Sequence, residues 1–153
     1  MDWVAALLRW FHDLAGIVWI GLHYYLDFVH PRARAAAMGI GRSALIDELV
    51  LPRVGFYLRC SAIIAWLLGC AMLVTLTVPG RNGFTDAFLL RGLYAPIGIG
   101  AWLGTIMLLV ALVPMRSQDE RTAFLWTRVN TMLSIPMIFF MAFGFSHQGI
   151  VGL

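Results

Sequence analysis

The stretch Gly55–Val78, which reads GFYLRCSAIIAWLLGCAMLVTLTV, decides the fold of this chain. Arg59 is the one charged residue within it. A helix needs about 20 mostly apolar residues to cross the hydrocarbon core of a membrane. The stretch therefore predicts a transmembrane helix and not a strand or helix of a soluble core.

Three further stretches meet the same criterion, so the sequence predicts four spans. The predicted spans are residues 4–29, 55–78, 92–113 and 131–151. Pro79-Gly80 and Pro114 end the second and third spans, because neither residue type continues a helix well. The predicted fold class is an all-α integral membrane protein, with residues 1–153 forming a single four-transmembrane-helix bundle.

The overall composition agrees with a membrane protein. Hydrophobic residues make up 61% of the chain and charged residues 12%, whereas a soluble domain carries about 25% charged residues. All eleven basic residues are arginines, and they lie in short loops between apolar runs. This distribution favours charges that flank a membrane and argues against a nucleic-acid partner.

The two cysteines, Cys60 and Cys70, do not form a recognisable site. They are ten residues apart in one predicted helix, a rise of about 15 Å, which is too far for a disulfide. Neither belongs to a CxxC or CxxCH pattern, so the sequence has no signature of a zinc, iron–sulfur or c-type haem site.

The arginine distribution predicts the orientation in the membrane. The first and third loops contain Arg32, Arg34, Arg42, Arg53, Arg116, Arg121 and Arg128, whereas the opposite side contains Arg9, Arg81 and Arg91. The positive-inside rule then places the first and third loops in the cytoplasm and both termini outside. The first span is too long for a signal-peptide core and lacks a basic leader, which predicts that it is retained.

Histidines are the main candidates for chemistry. His12, His23, His30 and His147 all lie within or at the ends of the first and last spans. Ionisable groups are costly inside a membrane and are a functional hypothesis there. Since a helix turns about 100° per residue, His12, His23 and His30 are predicted to share one face of the first helix, on the same side as Gly16.

His12 and His147 are predicted to form an axial ligand pair for a b-type haem. At a rise of about 1.5 Å per residue, they lie about 12 Å and 6 Å below the outer ends of their helices. Helix bundles commonly hold such cofactors between facing helices. The alternative is that these histidines only hydrogen-bond other side chains or interfacial water.

Other polar residues leave more than one interpretation open. His23 is interpreted first as a residue that only hydrogen-bonds its neighbours, with a proton path, a quinone site and a hydrogen bond to a haem edge as the functional alternatives, and His30 is interpreted as a surface residue. Arg59 is interpreted as the ion-pair partner of Asp27, with a haem propionate as its rival partner. The Gly100 and Gly104 pair favours close helix packing, with space for a flat macrocycle as the alternative.

Two stretches carry a resemblance to a known family. Residues 9–21, RWFHDLAGIVWIG, followed by Tyr24-Tyr25, resemble the first helix of the membrane domain of the PuuD-type urate hydroxylases, the urate oxidase N-terminal family. Residues 130–147, NTMLSIPMIFFMAFGFSH, resemble a late helix of that family. The histidine, tryptophan and glycine pattern is more weakly similar to the haem-binding HemJ family and the CopD copper-resistance family.

The resemblance implies a redox protein of the bacterial inner (plasma) membrane, with His12 and His147 at the matching functional positions. It also implies a periplasmic C-terminus, because the urate enzymes have a c-type cytochrome after their membrane domain. The family's membrane domain has more spans than the four predicted here, and the cytochrome is not found in this sequence. The expected protein is therefore a short haem-binding relative and not a self-contained urate-oxidising enzyme.

Three functional hypotheses follow. The first is a haem b protein of the membrane that acts in electron transfer or oxidation, with a redox protein, a larger membrane complex or a quinone as partner. The second is a non-catalytic accessory subunit of a respiratory or photosynthetic complex. The third is a HemJ-like enzyme that oxidises a porphyrinogen.

Overall fold

A computed structural model of the protein describes residues 3–75, 82–112 and 120–151, without the side chains at 93, 120, 123 and 145–151. The described chain forms five helices. They are α1 (Trp3–Gly39), α2 (Ser43–Thr75), α3 (Gly83–Phe88), α4 (Ala95–Leu112) and α5 (Glu120–Val151). All but α3 contain a stretch long and apolar enough to cross a membrane, which in α5 is Phe124–Gly144. The prediction of four helices that could cross a membrane is therefore confirmed, although the apolar stretch of the last one begins at Phe124 and not at the predicted residue 131.

Large apolar side chains on the outside of the bundle also indicate that it lies in a membrane. Ile17, Leu67 and Ile135 are 70%, 55% and 63% exposed. A soluble monomer rarely leaves extensive apolar surface in contact with water. In a bilayer the same side chains contact lipid, so the bundle is a multi-pass membrane protein by its surface as well as by its helix lengths.

The first connection is much shorter than the predicted 30–54. Helix α1 continues to Gly39 and α2 begins at Ser43, so residues 43–50 are helical and form the start of α2. Gly41 has a φ of +70°, a conformation that glycine adopts without strain. Arg34 Nε donates to both carboxylate oxygens of Asp47 at 2.8 and 2.9 Å, which ties the ends of the two helices together.

Two π-helical turns interrupt the regular period of these helices. One covers Tyr25–Val29 in α1 and the other Ile46–Val50 in α2. A π-helical turn contains more residues than an α-helical turn, so side chains beyond it are rotated relative to those before it. The prediction that His30 shares a face with His12 assumed an uninterrupted period of 100° per residue, and that assumption does not hold across Tyr25.

Glycines bring α4 and α5 together. A Cβ atom at Gly100 would lie 2.9 Å from Met141 Cγ, and one at Gly104 would lie 3.5 Å from Met137 Sδ. At Gly144 a Cβ atom would overlap Ile97 Cγ1. The interpretation of Gly100 and Gly104 as a close-packing pair is therefore confirmed.

The predicted connection 79–91 contains the short helix α3. Asn82 Oδ1 accepts hydrogen bonds from the backbone N–H groups of Phe84 and Thr85 at 3.0 and 3.2 Å, which caps the helix start. Ala87 is fully buried, and Trp102 Nε1 donates to the Phe88 carbonyl at 3.1 Å. Helix α3 is thus docked against α4 and becomes part of the bundle wall.

Three of the spans place a fully buried residue between two cavities of the bundle. Ala62 of α2, Met107 of α4 and Ser134 of α5 each have 0% exposure. We call these three residues the middle layer. One cavity lies on the α3 side of this layer and a second on the side of the Ile40–Arg42 turn, and none of the three residues lines either cavity.

Candidate functional site

His12 of α1 is held by the backbone of α2. Its Nδ1 atom lies 2.8 Å from the carbonyl oxygen of Ala65. Because a carbonyl only accepts hydrogen bonds, Nδ1 carries the hydrogen and Nε2 of the neutral ring keeps its lone pair. Histidines that bind metals almost always donate their other ring N–H to a carbonyl or carboxylate in this way.

Gly69 provides the space for the His12 ring. A Cβ atom at position 69 would lie 3.0 Å from His12 Cε1 and 3.4 Å from Nδ1. The imidazole therefore lies directly against the α2 backbone, one helical turn beyond the carbonyl that it contacts. Any larger residue at position 69 would displace the ring.

His12 lines a cavity of about 700 Å³, which we call the His12 cavity. All four spans contribute to its wall, together with Phe88 of α3. Its lining is mainly apolar, and its volume falls within the roughly 300–1,000 Å³ typical of cofactor sites. The other side chains on the wall with a possible iron-binding atom include the thioethers Met72, Met137 and Met141.

This donor set fits the predicted haem. An imidazole nitrogen and a methionine thioether are both axial ligands that haem iron accepts. In the described part of the chain, no three His, Cys, Asp or Glu side chains come together to hold a metal ion by themselves. A flat cofactor bound by one or two axial ligands needs no such group.

His147, the predicted second ligand, lies in the helical backbone of α5. Its side chain is outside the described residues, so the ligand role stays a prediction. Sequence reasoning missed the three methionines, because methionine at helical spacing is usually a core residue. The spacing of four residues between Met137 and Met141, which puts both on one face of α5, was the available signal.

His23 belongs to a separate buried cluster. It is 2% exposed, and Trp19 Nε1 donates to its Nε2 atom at 3.2 Å. Asn130 Nδ2 lies 3.3 Å from the same nitrogen and donates to the Met107 carbonyl at 3.0 Å. Nε2 is therefore an acceptor, Nδ1 carries the hydrogen of the neutral ring, and the cluster joins α1, α4 and α5.

Two atoms of this cluster have unmet hydrogen-bonding capacity. His23 Nδ1, a donor, and Asn130 Oδ1, an acceptor, are buried and have no hydrogen-bond partner among the described residues. Leaving such a group unpaired costs about 1–3 kcal/mol. Both residues lie on the wall of the second cavity, which has a volume of about 880 Å³ and which we call the His23 cavity.

The far end of the His23 cavity is more polar than any part of the His12 cavity. Its lining there includes His30, Arg34, Asp47, Arg59 and Arg121. The cationic side chains outnumber the carboxylate, and Asp47 is bound to Arg34. The two cavities therefore differ in chemistry, one mainly apolar with His12 and Asp13 on its wall and the other apolar with polar groups at both ends.

The predicted site residues do not converge on one place. His12 lines one cavity, while His23 and Arg59 line the other. Arg59 is thus not on the wall that would contact a haem bound to His12. Asp27 Oδ1 lies 3.6 Å from Arg128 Nε, and the predicted pairing of Asp27 with Arg59 stays a prediction.

We expect the Trp19–His23 hydrogen bond to contribute measurably to stability. Both residues lie in α1, four positions apart, and an intramolecular hydrogen bond of this kind contributes about 0.5–1.5 kcal/mol net. A cycle of Trp19→Phe and His23→Leu, followed by unfolding in detergent, should give a coupling energy in that range. A coupling energy of zero would show that the contact between the two rings is not energetically significant.

No known protein family, curated protein or solved structure matches this chain. The function is therefore inferred from the geometry of the two cavities.

Proposed function

We propose that this protein binds haem b in the bacterial inner membrane and acts in electron transfer or oxidation, as a short relative of the urate hydroxylase membrane domain. The observation that carries the proposal is the position and orientation of the His12 ring. Its Nδ1–H is fixed on the Ala65 carbonyl, and the ring lies on the wall of a large apolar cavity. This arrangement leaves Nε2 as the nitrogen available to iron.

Each part of the site has a defined role in this proposal. His12 Nε2 would hold the iron, and the hydrogen bond to Ala65 fixes the ring's orientation and raises its basicity. The apolar wall sets a low dielectric around the cofactor, which is one determinant of its reduction potential. When bound, the haem supplies one-electron chemistry.

The second ligand is proposed to be His147, with Met137 and Met141 as rivals because they are on the described wall. Methionine ligation raises the haem potential relative to a pair of histidines. Near-infrared magnetic circular dichroism of the oxidised protein distinguishes the two ligand sets.

The decisive experiment is a reduced-minus-oxidised visible spectrum of the detergent-purified protein, combined with a pyridine haemochrome assay. We expect about one b-type haem per chain, as for one ligand site per bundle. A colourless protein with intact helical circular dichroism, expressed with ample haem, would contradict the proposal.

We also propose that both termini are periplasmic, because the arginine-rich loops favour the cytoplasm. A C-terminal fusion to alkaline phosphatase should be active, and the corresponding fusion to green fluorescent protein should be dark. Fusions placed at Ile40, in the turn between α1 and α2, should give the opposite pattern. A fluorescent C-terminal fusion would reverse the proposed orientation.

A further inference from the structure

The His23 cavity has a built polar end that the haem proposal does not use. His23 and Asn130 are 2% and 1% exposed. The hydrogen bond from Trp19 fixes Nε2 as an acceptor, so Nδ1–H is a donor, and it has no partner among the described residues. Asn130 uses its NH₂ group for Met107 and His23, which leaves Oδ1 as an acceptor.

The ligand that suits this end must combine three properties. It needs an oxygen atom that accepts a hydrogen bond from the N–H group of His23. In a second chemical form, that oxygen must carry a hydrogen that it can donate to Asn130 Oδ1. The rest of the ligand must be apolar. A charged ligand group is disfavoured at this end, because a neutral imidazole and a neutral amide do not compensate a buried charge. One water would satisfy both atoms, but the cavity of about 880 Å³ far exceeds the share of liquid volume of one water, about 30 Å³.

The walls between the two polar ends are apolar. Leu26 of α1, Leu58 of α2, Val110 of α4 and Phe124 of α5 line them. Large apolar cavities are poor sites for water and good sites for the ring and chain of a lipid-soluble molecule. A membrane quinone has this combination of a carbonyl oxygen that becomes a hydroxyl on reduction, a flat apolar ring and an isoprenoid chain.

We propose that the His23 cavity binds the headgroup of a membrane quinone. A carbonyl oxygen of the quinone accepts from His23 Nδ1–H, and the hydroxyl of the reduced form donates to Asn130 Oδ1. The apolar residues Leu26, Leu58 and Phe124 contact the ring and the start of the chain. The inference goes beyond the haem proposal and does not depend on it, because the two cavities share no lining residue.

The test uses the full chain in nanodiscs of phosphatidylcholine, with and without haem loading. Decylubiquinone and a naphthoquinone with a short isoprenoid chain are titrated in turn, and quenching of tryptophan fluorescence is recorded against empty nanodiscs. Trp126 lies on the cavity wall and Trp19 contacts His23, so both report on the site. We expect saturable quenching by at least one quinone.

The variants His23→Phe and Asn130→Leu should each weaken that quinone's binding by about tenfold, the equivalent of about 1.4 kcal/mol. The matched control is Thr105→Val, which removes a half-buried hydrogen bond between α2 and α4 at a residue that lines neither cavity. The dissociation constant of the quinone for the Thr105→Val variant should equal that for the wild type. Circular dichroism and the unfolding midpoint establish which variants are folded.

A third variant keeps the inference testable if the polar substitutions prevent folding. Val110→Trp leaves the polar cluster intact and fills the cavity, so it should abolish saturable quenching. Absence of saturable quenching in the wild type would overturn the inference, as would unchanged binding in folded His23→Phe and Asn130→Leu. Displacement of the quinone by phosphatidylglycerol at equal concentration would instead assign the cavity to anionic lipid.

Discussion

Replacing His12 with alanine is expected to reduce the b-type haem content from about one per chain to background. The methyl group of alanine supplies no ligand, and the Ala65 carbonyl that orients the imidazole loses its partner. A surrounding apolar cavity alone does not retain iron in a defined coordination state. The measurement is the pyridine haemochrome yield per mole of purified, folded protein.

A graded variant and a control sharpen this prediction. Gly69→Ala introduces a Cβ atom 3.0 Å from His12 Cε1, so it should displace the ring without removing the ligand. We expect haem to remain but with weaker affinity and a shifted spectrum. His30→Ala lies in the other cavity and should retain the full haem content, whereas equal loss in His12→Ala and His30→Ala would point to general misfolding.

Replacing Gly98 with alanine is expected to cause one of the largest losses of stability in the bundle. A Cβ atom there would overlap the Ala87 carbonyl oxygen and also lie 2.8 Å from its carbon. The obstacle is backbone, which cannot rotate away as a flexible side chain can. Overpacking of this kind costs about 1–3 kcal/mol, and the expected value lies at the upper end, measured by the unfolding midpoint in detergent.

The matched control is Gly21→Ala in α1, where a Cβ atom meets nothing within 4 Å. Alanine is favoured over glycine within a helix by roughly 0.5–1 kcal/mol, so this variant should be neutral or slightly stabilising. The contrast isolates the contact between α3 and α4. If both variants behaved alike, α3 would not be docked against α4 as the structure shows.

The spans were predictable because their signal is local. Any stretch such as Gly55–Val78, with many apolar residues and a single arginine, must leave water. The helix ends were less accessible to prediction. The segment after His30 is polar and was assigned to a loop, yet Ala35, Ala36 and Ala37 favour a helix and the Arg34–Asp47 pair holds it against α2.

The candidate sites were predictable only in part, since they depend on which helices are neighbours. The sequence identified His12 and His23 as costly residues inside a membrane. It gave no means of pairing His12 with Ala65 or His23 with Asn130, residues separated by 53 and 107 positions. Gly69 was also missed, because its role exists only when another helix places a ring against it.

The middle layer has an electrical consequence. Trp19 and His23, one helical turn apart, line different cavities, while Ala62, Met107 and Ser134 line neither cavity and have 0% exposure. If the bundle spans a membrane and both cavities admit polar molecules, most of the voltage across the membrane falls over the middle layer. Moving one elementary charge through a drop of 100 mV involves about 2.3 kcal/mol. In that case, a charge that moved from one cavity to the other would cross most of this voltage at the level of Trp19 and His23, the residues that join the two cavity walls.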